Sequence, residues 1–331
     1  MISVVATVLN EGESIRHLLE SLVTQVCFPD EVVIVDGGSR DNTHAILREY
    51  ESRLPLRIFV EPGCNISAGR NRAIAYARGD LIAVTDAGVT LARDWLERIT
   101  RPLRDNPVIE VVGGFFQADP HTIFEAALGA TTLPMANEVN SDTFLPSSRS
   151  VAFRRAAWIS AGGYPEWLDY CEDLIFDLRL REIATPMIVE VGALTYFRPR
   201  PSLKSFYKQY YRYARGDGKA DLWRKRHAIR YIIYLIAAPL IFLLGWRANK
   251  LFWLLYLPGA LVYLRQPYRR LRIVLHDSSR AGTVRVTRMS NLQALALVPI
   301  IRVVGDVAKM IGYPVGWVWR IRNRPPNWRK V

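Results

Sequence analysis

The chain has 331 residues, half of them hydrophobic and 23% charged, so it can bury a core in one large domain or two and is neither a disordered tail nor a disulfide-stapled mini-protein. Its net charge of +13 conceals two regions: residues 1–200 carry 19 Arg, no Lys and 27 acids (net −8), whereas residues 201–331 carry 25 basic residues against Asp217, Asp221, Asp277 and Asp306 (net +21). The basic region is also dense in Trp, Leu and Ile, which fits an anionic membrane surface, where each Lys or Arg gains about 1 kcal/mol, better than it fits nucleic acid. Cys27, Cys64 and Cys171 are odd in number and lie far apart, which argues against a disulfide framework and a cysteine zinc site and for a reducing compartment.

The opening MISVVATVLNEG has no basic stretch and runs into an acidic loop, so it is expected to be the first strand of a fold and not a signal peptide. Ile15, Leu18, Leu19 and Leu22 then recur at helical spacing, and Glu31 to Asp36 reads as the second strand. The alternation continues with a helix from about Asp41 to Tyr50, a strand at Leu56 to Val60, a helix around Ser67 to Ala77 and a strand at Leu81 to Thr85. Such a pattern predicts an α/β fold with a parallel sheet covered on both faces. Its ligand crevice lies beyond the carboxyl ends of the strands, where Leu9 to Glu11, Asp36 to Ser39 and Asp86 to Gly88 converge.

From Val111 to Tyr196 the pattern is less regular, with a Ser-rich loop at Pro146 to Ser150, a Gly-Gly-Tyr-Pro turn at Gly162 to Pro165 and a helix from about Glu172 to Arg181. Beyond Pro201, a basic and aromatic helix leads into two uncharged segments, Tyr231 to Trp246 and Leu251 to Leu264. Each is shorter than the roughly 20 residues of a perpendicular span, and together they predict a helical hairpin whose basic flanks put both outer ends in the cytoplasm. Asn291 to Val304 is a weaker third segment that spans the membrane or lies in its interface. Core helices of a soluble domain are the alternative for all three.

Several polar residues sit where chemistry is expected. Asp36-Gly37-Gly38-Ser39 ends a strand and opens a helix, and its N–H groups suit a ligand at the helix N-terminus. Asp86 ends another strand, where a carboxylate holds a divalent cation against a diphosphate. Glu172-Asp173 opens a helix: adjacent carboxylates in a cleft raise one another's pKa, which suits a general base, although two acids also complement a helix dipole. Gln209, Arg212 and Gly216 share one helical face, with Arg215 near it.

The ordered motifs V-L-N-E-G, V-D-G-G-S-R-D-N-T, S-A-G-R-N-R-A, G-D-L-I-A-V-T-D-A-G, G-G-Y-P-E, E-D-L and Q-Y-Y-R-Y, over residues 1–216, resemble glycosyltransferase family 2, the inverting enzymes of the GT-A nucleotide-sugar fold. P-S-S-R-S-V-A-F-R-R and Y-R-Y-A-R-G-D-G resemble its bacterial membrane-attached members. The resemblance implies a catalytic domain over 1–222, with a Rossmann-like, mostly parallel sheet, and a membrane-associated helical region over 223–331. It assigns Thr7, Asn10, Glu11 and Asp36 to the nucleotide, Arg70 and Asp86 to the donor, and Asp86 to Mg²⁺ or Mn²⁺. Asp173, beside Glu172, becomes the base, and Gln209, Arg212 and Arg215 face the diphosphate and acceptor.

Three positions depart from the family pattern: Gly37 stands for an Asp in D-D-G-S, Gly88 for the second Asp of Asp-x-Asp, and Tyr213 for the Trp of Q-x-x-R-W. The expectation is sugar transfer from a nucleotide-sugar donor to a lipid-linked or membrane glycan acceptor of the cell envelope, at the cytoplasmic face of the plasma membrane, with no nucleic-acid partner. A processive polysaccharide synthase and a degenerate sugar-nucleotide binder are the alternatives.

Overall fold

The computed structural model describes residues 1–184 and 186–329. These form two compact units, one of residues 1–117, 135–197 and 326–329, the other of residues 118–134 and 198–325. In chain order the elements up to residue 197 are β1 (Ile2–Val8), α1 (Ile15–Val23), β2 (Glu31–Asp36), α2 (Thr43–Glu49), β3 (Leu56–Val60), α3 (Ile66–Tyr76), β4 (Leu81–Val84), β5 (Val89–Leu91), α4 (Trp95–Asp105), β6 (Val111–Ala118), α5 (Ile123–Thr132), β7 (Val151–Arg154), α6 (Arg155–Ser160), α7 (Glu172–Ile183) and β8 (Met187–Phe197).

The first unit is built on one eight-stranded sheet ordered β3-β2-β1-β4-β7-β6-β8-β5. Strand β1 runs parallel to β2 and β4, and β2 parallel to β3. The remaining half is antiparallel: β7 pairs with β4 and β6, and β5 with β8. The parallel expectation from β-α-β alternation thus describes the first four strands, and the sheet as a whole is mixed because β7 enters beside β4 in the opposite direction and β6 and β5 also pair antiparallel with their neighbours.

All six residues of β2 are buried, since a parallel strand covered on both faces needs no polar side. Successive residues feed opposite cores. Val4, Ala6, Val32 and Ile34 pack with Ile15, Leu18, Leu19 and Leu22 of α1 and Trp95 and Ile99 of α4. Val5, Val33, Val35 and Val84 pack with Ala73 and Ile74 of α3 and Phe176 and Leu180 of α7. Trp95 also donates from Nε1 to Ser150 Oγ at 2.8 Å, satisfying its one polar atom in the interior. The carboxyl ends of β1, β2 and β4 consequently present Asn10, Asp36 and Asp86 from adjacent strands of one sheet edge.

The second unit combines α5 with the helices after residue 198: α8 (Leu203–Ala220), α9 (Arg224–Tyr231), α10 (Ala238–Arg247), α11 (Tyr256–Arg280) and α12 (Arg288–Asn323). A π-turn at Ile232–Ala237 joins α9 to α10 just before Pro239, which cannot donate to a regular helix. The continuous helix Arg224–Arg247 is long and apolar enough to cross a membrane by length and composition. Ile232, Leu235, Ile236, Leu240 and Leu243 along it are exposed. The second expected arm, Leu251 to Leu264, divides between a 3₁₀ turn (Lys250–Leu255) and the start of α11, and the third segment, Asn291 to Val304, lies inside the 36-residue α12.

Within this unit, α8 and α12 touch along their backbones. A Cβ at Gly312 would lie 2.2 Å from Tyr211 O, one at Gly316 2.0 Å from Arg215 O and one at Gly218 2.2 Å from Tyr313 O. The four-residue spacing of Gly312 and Gly316 makes this contact possible, as in other small-xxx-small helix pairs. Gly312→Ala should therefore force the helices apart and cost about 1–3 kcal/mol. Gly259→Ala on α11, where a Cβ meets nothing within 4 Å, should instead leave stability the same or raise it by up to about 1 kcal/mol, as Ala favours a helix over Gly. Thermal unfolding in detergent would show the difference, and equal melting of the two variants would contradict the packing.

Candidate active site

Arg70 of α3 is the centre of the site. Its Nη1 donates to Glu172 Oε1 at 2.6 Å and its Nη2 to Asp86 Oδ1 at 2.6 Å. Its guanidinium also lies 5.4 Å from the ring centroid of Tyr164. Arg149, from the Ser-rich loop, brings Nε within 3.5 Å of Asp86 Oδ2. Arg70 is only 2% exposed and Glu172 6%, so these are charges removed from water that hold together only by mutual pairing.

Local structure explains how they meet. Helix α3 is capped by Asn65, whose Oδ1 accepts from Ala68 N, and a Cβ at Gly69 would lie 2.7 Å from Thr7 Cγ2, so only Gly lets α3 approach β1. Neighbouring Asn71 fixes the Gly-Gly-Tyr-Pro turn: its Oδ1 accepts from Tyr164 N at 2.8 Å and its Nδ2 donates to Tyr164 O at 2.9 Å. Gly162 and Gly163 have φ of +70° and +68°, conformations for which glycine is needed. Cys171, at φ +65°, is a non-glycine residue in the same left-handed region directly before Glu172 and Asp173. Held strain of this kind is concentrated at functional sites.

The electrostatics follow from the imbalance of charge. Arg70 and Arg149 face Asp86, Glu172 and Asp173, so the enclosure has one more carboxylate than it has cations. Burial pushes Asp86 up, but Arg70 and Arg149 outweigh it and hold its carboxyl below the usual range. For Glu172, burial and the charge of Asp173 prevail over Arg70, and its pKa is raised. Asp173 is likewise raised, chiefly by burial, against the pull of Arg70 and Arg149. Four residues along α7, Asp177 is completely buried, neither of its oxygens has a hydrogen-bond partner, and burial followed by repulsion from Asp173 raises it well above an ordinary carboxyl.

The loops after β1 and β2 are clamped to each other. Asn10 N donates to Ser39 Oγ and Arg40 N to Asn10 Oδ1, both at 2.9 Å, while Glu11 N donates to Thr43 Oγ1 at 2.9 Å. Asp36 is 1% exposed, and its Oδ1 accepts from Gly38 N, Ser39 N and Ser39 Oγ. Its visible work is to order this turn. Thus the sheet edge brings Thr7, Asn10, Glu11 and Asp36 onto two adjoining loops and joins Arg70, Asp86, Glu172 and Asp173 in one cluster. Gln209, Arg212 and Arg215 lie on α8 of the second unit, where Gln209 Nε2 donates to Tyr213 OH at 2.8 Å.

Sequence reasoning missed Arg149, Asn71, Tyr164 and Asp177. Asn71 and Tyr164 stood within quoted motifs, but what they brace is visible only once α3 and the turn meet. Arg149 also stood within a quoted motif, P-S-S-R-S-V-A-F-R-R, but nothing in that string pointed it at Asp86.

Among the described residues, no group of three or more His, Cys, Asp or Glu converges as a metal site. Asp86 offers one carboxylate, which a cation would share with Arg70 and Arg149, and a Cβ at Gly88 would meet nothing within 4 Å, so open space lies beside it. This fits a cation bound to a single protein ligand and otherwise held by substrate oxygens and water, as Mg²⁺ commonly is.

Residues 3–157 match the family model described as "Glycosyl transferase family 2". The succinoglycan biosynthesis protein ExoA of Rhizobium meliloti is 28% identical over 250 residues, 72% of this chain and 76% of that protein. The mannosyltransferase PcManGT of Pyrobaculum calidifontis, solved with GDP-Man and Mn²⁺, shares the fold with a TM-score of 0.55 at 18% identity, covering 100% of this chain and 88% of that one. Residues 1–349 of S. aureus TarS, solved with UDP-GlcNAc, give 0.52 at 18% identity, covering 98% and 92%.

The raised pKa of Asp177 has a measurable consequence. The native state keeps a proton that the unfolded chain releases above about pH 4, so the stability tied to this group is present below that pH and lost as pH rises towards the raised native value. Asp177→Asn stays neutral and should escape the loss. Its melting temperature relative to the parent should climb between pH 4 and pH 7, and a constant offset over that range would contradict the burial of an unpaired carboxyl.

Proposed function

Since the chain belongs to glycosyltransferase family 2 and is a glycosyltransferase, we propose that it is an inverting enzyme. It moves a sugar from a nucleotide-sugar donor to a lipid-linked or membrane-associated acceptor in cell-envelope glycan or glycolipid synthesis. The observation that carries the reading is the cluster in which one buried arginine joins Asp86 to the Glu172-Asp173 pair.

In this reading Asp173 is the general base. It takes the proton of the acceptor hydroxyl, the hydroxyl oxygen bonds to the anomeric carbon from the face opposite the leaving group, and the bond from that carbon to the phosphate oxygen breaks. The nucleoside diphosphate leaves with the electron pair, and Asp173 gives its proton to solvent. Glu172, tied to Arg70, holds the α7 end in register, and Arg149 faces the side of Asp86 on which the diphosphate charge develops.

Thr7, Asn10, Glu11 and Asp36 form the nucleotide side, with Arg70 and Asp86 towards the diphosphate. Gln209, Arg212 and Arg215 serve the diphosphate and acceptor. A divalent cation, Mg²⁺ or Mn²⁺, supplies charge neutralisation when bound, with Asp86 as its one protein ligand.

Membrane attachment is supported by the exposed apolar helix Arg224–Arg247 and by the basic clusters that flank the apolar segments. The reading places residues 1–222 on the cytoplasmic side and gives the membrane role to 223–331. A raised pKa suits Asp173 to accept a proton near neutrality, since it is more basic than a free carboxylate yet ionised above that value.

The experiment is release of nucleoside diphosphate by the detergent-purified chain against a panel of nucleotide sugars, with Mg²⁺, Mn²⁺ or chelator and a membrane-lipid extract as acceptor. One donor should give lipid-stimulated release. Asp173→Asn should lower turnover by about 10²-fold or more while donor affinity is retained. Turnover by Asp173→Asn at the parental rate would rule out the assigned base.

A further inference from the structure

The helical unit holds a small cavity of about 90 Å³ between α5, α8 and α12, lined by none of the residues assigned above to donor, base or acceptor. Arg302, Asp306 and Lys309 line it from α12, with Tyr210 and Phe206 from α8. The one carboxylate there is already committed. Asp306 Oδ1 accepts from Arg230 Nε at 2.7 Å, and its Oδ2 accepts from Tyr263 OH at 2.5 Å and Tyr234 OH at 3.2 Å.

Arg230 pairs with Asp306 directly, while Asp306 and Asp217 act on Lys309 only through space, so Arg302 and Lys309 bring more positive charge to the cavity than the carboxylates around it offset. Among the described residues no carboxylate forms an ion pair with either. Arg302 Nε is buried without a hydrogen-bond partner. Each cation instead lies over an aromatic ring, Arg302 4.3 Å from the centroid of Tyr263 and Lys309 4.8 Å from that of Tyr210. Such contacts offset only part of the cost of partly desolvating each charge. Two under-compensated cations at one cavity are the arrangement of an anion site.

Size and charge choose the anion. A cavity of about 90 Å³ has room for one tetrahedral oxyanion. Two positive charges match a phosphate monoester, which carries about −1.5 to −2 at pH 7, better than they match a single carboxylate. A guanidinium fork beside an ammonium is also the side-chain pair suited to phosphate oxygens. Arg230 and Tyr234, which lock Asp306, belong to the apolar stretch Arg224–Arg247.

The geometry points to a binding site for a phosphate monoester at Arg302 and Lys309, with the phosphate of a membrane lipid as its source. This site does not depend on the transferase reading, because phosphate is bound there whether or not sugar is transferred.

Native mass spectrometry of the full chain in detergent, titrated with dioctanoyl phosphatidic acid, dioctanoyl phosphatidylcholine or inorganic phosphate, tests it. Phosphatidic acid should bind at least tenfold more tightly than phosphatidylcholine, and inorganic phosphate should compete with it. Inorganic phosphate binding as tightly as phosphatidic acid would retain the phosphate site and overturn the lipid source. Arg302→Gln with Lys309→Met should lower phosphatidic acid binding at least tenfold, Lys309→Arg should retain it, and Arg322→Gln, at an exposed position on the same helix, should leave it unchanged. Equal binding of the two lipids by the parent chain, which needs no variant to fold, would overturn the proposal. So would full binding by the double variant.

Discussion

The active-site architecture rests on one buried guanidinium. Arg70 reaches from α3 to Asp86 after β4 and to Glu172 at the start of α7, so a single side chain ties together segments a hundred residues apart. Removing such a cation from water is costly unless it is paired, and the pairing is available only because three carboxylates converge on it. The converse also holds. Without Arg70 those carboxylates would be an enclosed cluster of like charge, and most of them would be protonated and unfit for the work proposed here. The balance between them leaves Asp86 acidic and Glu172 and Asp173 basic, an environment that gives similar side chains different roles.

The rest of the first unit is arranged so that this meeting occurs. The parallel half of the sheet aligns the ends of β1, β2 and β4, and the close approach of Gly69 to Thr7 sets α3 against β1 with Arg70 turned to the edge. Asn71, the next residue, fastens the Gly-Gly-Tyr-Pro turn and with it Tyr164, whose ring lies by the guanidinium. Adjacent residues of one helix thus hold the two sides of the site, which explains why a short G-R-N string has structural weight out of proportion to its length.

Much of this was legible in the sequence. The strands Glu31–Asp36 and Leu56–Val60 and the start of α7 at Glu172 fall where apolar runs and acidic first turns put them, because these signals are local. The antiparallel half was not, since β7 and β8 owe their partners to long-range pairing that no local period encodes. At the site, Asp86, Glu172, Asp173 and Arg70 were readable from motif order, whereas Arg149 and Asp177 acquire meaning only from what surrounds them. In the helical unit, hydropathy found the apolar stretches but not that Gly312 and Gly316 press α12 onto α8, or that Arg302 and Lys309 meet at a cavity. Those are properties of facing surfaces.

The central claim is that Arg70 sets the protonation of the carboxylates that do the chemistry, and the pH dependence of transfer by Arg70→Gln tests it most directly. Loss of the cation should move the acidic limb of the rate profile upward by about one pH unit or more, because Asp173 would then need a higher pH to ionise. A profile with its acidic limb where the parent has it would contradict the account, since the carboxylates would then owe their state to something other than Arg70.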